Sequence, residues 1–351
     1  MRYRELPRTG LRLSEVGFGV WTISTGWWGR VTEDEAIRLL KIARERGITF
    51  FDAADVYGYG LGEELLGKAF GSDPGVVIAT KVGYDFYGRE GSRSDDRELP
   101  QNFSPAYLCK AVEACLRRLR RETIDILQLH NVRMEHVRDD RLWETVRKLQ
   151  EEGKIRAYGA ALGPAIGWLY EGIEVVRRRQ PHVVQHIYNI LETYPGRQLM
   201  DQAGPGPTRY LIRVPHASGM LEGKYTSKTT FGPNDHRRFR SKEWLEKGLV
   251  KIHKLRFLER DGRTLGQAAI QWLLEDPRIV SVLPNIYNED QLEEFVGASE
   301  AVPLTVEELS KIESLIQSQF GVEPEKVEYK GTMHPPEELA SSRSGSDGSA
   351  V

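Results

Sequence analysis

The chain has 351 residues, enough for one large α/β barrel or a pair of ordinary modules and for a sizeable buried core. Its 49 Lys and Arg nearly balance 51 Asp and Glu, and the net charge of -2 excludes the basic footprint of a nucleic-acid binder or a membrane-surface protein. The N-terminal MRYRELPRTG has no apolar signal region, and no later run reaches the roughly 18 apolar residues of a membrane span. Cys109 and Cys115, six apart in one predicted helix, fall on different faces and do not suit a disulfide. The expectation is a cytoplasmic protein with a small-molecule partner, no nucleic acid and no membrane; the oligomeric state is left open.

The opening YRELPRTGLRLSEVGFG predicts a hairpin turning at Thr9 and Gly10, then a first buried strand near Val16 to Val20. TEDEAIRLLKIARERG follows with helical periodicity, Thr32 as N-cap, Glu35 three residues on and Gly47 as stop, and leads into the strand ITFFDAA. The alternation recurs in GEELLGKAF then VVIATKV, in SPAYLCKAVEACLRRLRRE then IDILQLH, and in RLWETVRKLQEEGK then IRAYGAAL. It continues in GWLYEGIEVVRRRQ then VVQHIYN and, past a glycine- and proline-rich stretch, in YLIRVPHA. One long helical region, Ser241 to Glu275, precedes the last strand, VSVLPN. Eight strands alternating with helices, near-continuously apolar as if covered on both faces, predict a closed (β/α)8 TIM barrel rather than an open doubly wound sheet. No linker divides the series, so residues 1–325 read as one barrel domain. Residues 326–351 read as a C-terminal tail, expected to be partly disordered, above all beyond Ser341.

In a parallel barrel, chemistry gathers where the C-terminal ends of the strands meet at one mouth. Asp52 closes the second strand, Tyr57 lies in the loop beyond it, Lys81 closes the third strand and His130 the fourth. A lone Lys or His at a strand end is more often a solvated terminus or a satisfied core residue. Four titratable groups from three consecutive strands, one a lysine inside an apolar run, point instead to a shared site. A phenol has an ordinary pKa of about 10, and donating its proton near neutral pH needs about 4 kcal/mol of help. An ammonium about 4 Å away, at an effective dielectric of 20, supplies about that much. On this reading Tyr57 is the general acid, Lys81 tunes it, Asp52 keeps Lys81 charged, and His130 orients the substrate oxygen. A proton donor over a carbonyl, with no nucleophile and no metal-ligand spacing, fits hydride transfer to or from a nicotinamide.

These residues resemble the aldo-keto reductase superfamily: GFGVWT, FDAADVYGYG, IATKVG, IDILQLHN and GMLEGKYT occur in that family's order, from about Tyr3 to about Ile316. The resemblance implies a barrel closed at its bottom by the N-terminal hairpin and an Asp-Tyr-Lys-His tetrad at Asp52, Tyr57, Lys81 and His130. It also implies an extended nicotinamide cofactor, NADP with NAD as the alternative, bound without a Rossmann domain. By the same analogy Trp21 and Arg213 border the nicotinamide and Gln185 holds its carboxamide. The segment His216 to Lys224, with Ser218, Leu221 and Lys224, wraps the pyrophosphate, while NIYNEDQLEE, with Asn285, Tyr287, Gln291 and Glu294, meets the adenosine end. The departures are informative. Ala161 and Leu162 stand where the family has a Ser-Asn pair, which removes two cofactor hydrogen bonds at about 1 kcal/mol each. Arg213 replaces an aromatic at the head of the seventh strand, and its charge either biases the site toward the reduced cofactor or reaches an anionic substrate. Gln291 and Tyr287 lie near where a basic residue recognises a 2′-phosphate, and Phe295 replaces a usual Asn. Arg237 and Arg238 are either phosphate contacts or a solvated basic turn.

On the substrate side, Trp21, Trp27, Trp28, Tyr84, Phe86, Tyr87 and Asn131 fall in mouth loops. They suit a flat or sugar-like substrate and equally suit loops packing on one another. The charged segment from Asp85 to Asn102 reads as a lid or as a plain excursion. His182, His186, His216 and His236 raise a metal hypothesis that the spacing disfavours, because only His182 and His186 are close in sequence and on a strand they share a face about 13 Å apart. The leading reading is an NADP-dependent reductase of aldehydes or ketones, or the reverse alcohol oxidation. The rivals are a cofactor-sensing regulatory barrel with little turnover and a cofactor-independent lyase or isomerase.

Overall fold

The hairpin of β1 (Tyr3–Leu6) and β2 (Leu11–Ser14) comes first, with Leu6 paired to Leu11 across the turn. Leu6, Leu11 and Leu13 are buried together with Phe50, Val77, Ile126, Val183 and Leu211 inside the barrel. Covering that apolar surface plugs the bottom and leaves the opposite end for the site. The computed structural model describes residues 1–29, 31–87, 98–233 and 235–336.

Eight parallel strands follow: β3 (Phe18–Gly19), β4 (Phe50–Asp52), β5 (Val77–Val82), β6 (Ile124–His130), β7 (Ile155–Ala161), β8 (Val183–Ile187), β9 (Arg209–Arg213) and β10 (Ile279–Leu283). They hydrogen-bond in sequence order, and a parallel bridge from Val16 to Val282 brings the two edges together. The fold is the (β/α)8 barrel that the strand count predicts. Between the strands run α1 (Trp21–Ser24), α2 (Glu33–Glu45), α3 (Leu61–Ala69), α4 (Pro105–Leu119), α5 (Met134–Arg138), α6 (Asp140–Glu151) and α7 (Leu169–Glu174). A π-helical turn, Val175–Arg179, prolongs α7. Then come α8 (Gly196–Ala203), α9 (Lys242–Leu255), α10 (Leu265–Leu274), α11 (Glu289–Val296) and α12 (Val306–Gln317). The Thr32 and Glu35 capping box opens α2 as expected, satisfying backbone donors that otherwise lack partners.

Two readings need correction. The region Ser241 to Glu275 is not one helix: α9 ends at Leu255 and α10 restarts after Thr264, whose side chain and Gln267 form a new capping box. Gly262, at φ 78°, makes the turn between them. The glycine- and proline-rich stretch before β9 contains α8, framed by Pro195 and Gly204 and anchored by buried Leu199, Met200 and Ala203. Tertiary burial outweighs its poor flanks. The tail up to Pro336 lies against the barrel, where Lys330 O accepts from Trp168 N at 2.7 Å and Thr332 O from Tyr170 N at 3.0 Å. The expected disorder beyond Ser341 and the central part of the proposed lid, 88–97, lie outside the described residues. Both cysteines are free, and no helix among the described residues is long and apolar enough to cross a membrane.

His186, buried in β8, has its imidazole pKa pushed down to about 4 by burial. The unfolded chain therefore binds a proton between about pH 6.5 and 4 that the folded one does not. Stability is fully present above the ordinary histidine pKa and is lost as pH falls toward 4, by up to about 3 kcal/mol from this residue. In thermal melts across that range, His186→Phe is expected to flatten the acid-side fall of Tm; parallel curves for the two proteins would remove this linkage.

Candidate active site

The site is assembled by register. Asp52 ends β4, which pairs with β5, and Lys81 in β5 stands level with Gln128 in β6. Lys81 Nζ lies 2.5 Å from Asp52 Oδ2 and donates to Ala53 O at 2.7 Å; it lies 3.5 Å from Tyr57 OH. Lys81 is 1% exposed. Burial works against its charge, but Asp52 and then Tyr57 outweigh burial and hold its pKa above the ordinary lysine value. The other Asp52 oxygen, Oδ1, accepts from Gln128 Nε2 at 3.0 Å and Gln185 Nε2 at 2.9 Å. Both carboxylate oxygens are thus partnered, which a buried ion pair requires to hold its geometry. The rings of His130 and Tyr57 meet edge to face with centroids 5.8 Å apart, so all four residues of the expected tetrad converge.

Tyr57 is held from behind by a layer that sequence reasoning missed. Tyr57 N donates to Ala54 O at 3.0 Å and Asp55 N to Lys81 O at 3.0 Å, which folds the turn back onto β5. A Cβ at Gly58, where φ is 60°, would come 2.3 Å from Ser24 O, so only glycine fits after the phenol. Under the turn, Glu63 pairs with Arg118 at 2.6 Å and accepts from Thr80 Oγ1 at 2.5 Å. Tyr87 OH joins Asp55 at 3.3 Å to Arg118 at 2.9 Å. Burial, then Glu63, pushes the Asp55 carboxyl well above the usual range, while Arg118 and the Tyr87 hydrogen bond act the other way. Tyr87 and Phe86 stack at 4.3 Å and serve this support, the loop-packing alternative for those aromatics.

Tyr84 and Asn131 occupy the other side of His130. Tyr84 and His130 ring centroids are 4.9 Å apart, and Asn131 Nδ2 donates to Tyr84 OH at 2.6 Å. The phenol in turn donates to Glu98, which Arg133 holds at 2.6 Å. Burial, then Glu98, raises the Tyr84 pKa, so this hydroxyl stays protonated.

A second group of expected site residues lies in the segments after β9 and around α11. After β9 the backbone takes positive φ at Val214, Ala217, Ser218 and Gly219, strain that clusters where loops clamp ligands. His216 is buried, stacks on Phe295 at 4.3 Å and sits 3.0 Å from Gly266 O. Leu221 N is used on His216 O at 3.1 Å. Ser218 Oγ accepts from Arg240 Nη2 at 2.8 Å, a cation that the sequence reading passed over in favour of Arg237 and Arg238. The two segments are joined directly: Lys224 pairs with Glu294 at 2.9 Å, and Gln291 donates to Glu222 at 3.3 Å and accepts from Tyr287 N at 3.2 Å. Asn285, between β10 and α11, is partly exposed at the same edge.

Arg237 is not a solvated basic residue: it pairs with Asp235 at 2.6 Å, donates to Tyr225 OH at 2.7 Å and lies 4.6 Å over the Trp28 ring. Trp28 also stacks on Tyr287 at 5.5 Å, which ties it to the segment before α11. Trp21 and Trp27 instead flank His236, at 5.1 and 5.7 Å. The positive-φ turn at Val214 to Gly219 and the Arg240 cation on Ser218 make an environment whose backbone and charge suit an anionic group. Among the described residues no group of His, Cys, Asp or Glu could hold a metal ion.

Fold and site together define a single (β/α)8 barrel with a buried lysine and carboxylate beside a phenol at its mouth. The chain belongs to the Aldo/keto reductase family, whose family model matches residues 15–317. It is 30% identical over 294 residues to aldo-keto reductase YhdN of Bacillus subtilis (strain 168), covering 79% of this chain and 82% of that protein. It is 29% identical over 344 residues to a probable voltage-gated potassium channel subunit beta of Oryza sativa subsp. japonica, covering 91% and 98%. Among solved structures it superposes on glycerol dehydrogenase AKR11B4 from Gluconobacter oxydans with TM-score 0.77 at 26% identity, covering 93% and 99%. By family it is a nicotinamide-dependent oxidoreductase of small carbonyl compounds.

Proposed function

We propose that this chain is a cytoplasmic, NADP(H)-dependent reductase of aldehydes or ketones, or works in the reverse direction on alcohols, with Tyr57 as the general acid. The observation that carries the reading is the Lys81 ammonium, 2.5 Å from Asp52 and 3.5 Å from Tyr57 OH. A positive charge 3.5 Å from a developing phenolate stabilises it by about 5 kcal/mol at an effective dielectric of 20. Lys81 thus makes Tyr57 surrender its proton to the carbonyl oxygen as charge builds there, and Asp52 holds Lys81 aimed. His130, against the Tyr57 ring, positions that oxygen. When bound, the nicotinamide supplies or accepts the hydride. Gln185 offers Oε1 to the carboxamide, and the turn at His216 to Lys224, with Arg240, holds the pyrophosphate. Trp21, Trp27, Tyr84 and Asn131 border the substrate. NAD(H) is the competing cofactor, and it gains from the carboxylates Glu222 and Glu294, which engage Gln291 and Lys224.

Ala161 and Leu162, which bring no polar side chain to the carboxamide, and the likeness to a channel subunit favour a second reading, a cofactor sensor with little turnover. Fluorescence titration with NADPH and NADH, followed by turnover on a panel of simple aldehydes, separates the two. The reductase reading expects binding and turnover together. Tight binding without turnover, unaltered in Tyr57→Phe, would establish the sensor.

A further inference from the structure

Arg213 ends β9 at the mouth, paired in register with Ile187 and Leu283. Its Nη2 donates to Leu162 O at 2.7 Å and Pro164 O at 2.9 Å, so the guanidinium lies over the segment where the family's Ser-Asn pair is absent. Gly163 makes the room: a Cβ there would come 2.2 Å from Nη2 and 2.7 Å from Asn131 Oδ1. Those two carbonyls fix the group but do not neutralise it. Among the described residues Arg213 has no carboxylate partner, its Nε is buried without a hydrogen bond, and Nη1 makes none. Tyr57, then Tyr84 and Asp52, interact with its charge, but the first two are phenols and Asp52 is already committed to Lys81. A partly buried guanidinium used only as a staple would normally carry a carboxylate, since desolvating an unpaired charge is costly.

We infer that Arg213 receives an anionic group of the carbonyl substrate, a carboxylate or phosphate a few bonds from the reacting carbon. The fixed cation beside the tetrad would hold that anion while the carbonyl reaches Tyr57 and His130, a charge-assisted contact whose specificity comes from position. The inference rests on the reductase reading for its reacting carbon, but the binding of the anion is measurable without it.

The test compares 4-oxobutanoate with butanal, two aldehydes of equal length that differ by a terminal carboxylate. Wild type is expected to favour the anion in kcat/KM by more than tenfold. Arg213→Leu is expected to lower that ratio at least tenfold, mainly through KM, and Arg213→Lys, which keeps the charge, to retain part of it. Calorimetric titration with succinate is expected to give a Kd at least tenfold weaker in Arg213→Leu. An unchanged ratio and an unchanged succinate Kd overturn the assignment. So does an equal loss on both aldehydes accompanied by a weaker NADPH Kd, which marks a cofactor contact instead. Wild type that reduces neither aldehyde refutes the reductase reading alone, and the succinate titration then decides the role of Arg213 by itself.

Discussion

Tyr57→Phe is expected to lower kcat for carbonyl reduction by about 10²- to 10⁴-fold, the usual contribution of a positioned general acid. The substitution removes one oxygen and keeps the ring that packs on His130 at 5.8 Å, so the turn from Ala54 to Gly58 has no reason to move. The loss therefore falls on proton transfer rather than on folding or on cofactor binding, and cofactor Kd is expected to stay within about threefold, under 1 kcal/mol. Single-turnover rates with preformed binary complex check this, because they exclude product release. A variant that reduces aldehydes at the wild-type rate would transfer the acid role elsewhere in the mouth, to His130 first.

Lys81→Met is expected to act twice. The apolar side chain cannot stabilise the phenolate, so turnover falls to about the level of Tyr57→Phe. It also leaves Asp52, 4% exposed, with two amide donors and no cation. Removing one partner of a buried pair typically costs about 3–5 kcal/mol, because the remaining charge stays desolvated. A marked fall in Tm accompanies the loss of activity. The double variant Asp52→Asn with Lys81→Met is expected to recover much of that stability, since no unpaired charge remains, while staying inactive. Such uncoupling shows the lysine acting on Tyr57 and not merely holding the barrel together. Activity surviving in Lys81→Met removes the cation from the mechanism; a double variant no more stable than the single removes the energetic coupling.

Much of the fold was legible because its signals are local. The Thr32 and Glu35 box starts α2 through bonds spanning three residues, and the apolar runs of β5 and β6 follow from burial on both faces. The break at Gly262 and Thr264 was also local, and the helical pattern on either side masked it. The tetrad was legible for a different reason: in a closed parallel sheet, residues at the ends of adjacent strands meet whatever lies between them.

By itself, then, the sequence determined the number and order of the barrel strands, and with them which four side chains reach the mouth, but not α8 or the break between α9 and α10. Only the tertiary structure decided what holds and tunes those side chains. Gln128 and Gln185 meet on one oxygen of Asp52, and Arg118 joins Glu63 to Tyr87. Arg240 reaches Ser218, and Arg213 settles over Gly163 with no counter-ion among the described residues. Periodicity and capping act over a few residues, whereas these contacts span tens to more than a hundred; strand register, loop path and the space left by a missing Cβ set them, and none of these has a local signature.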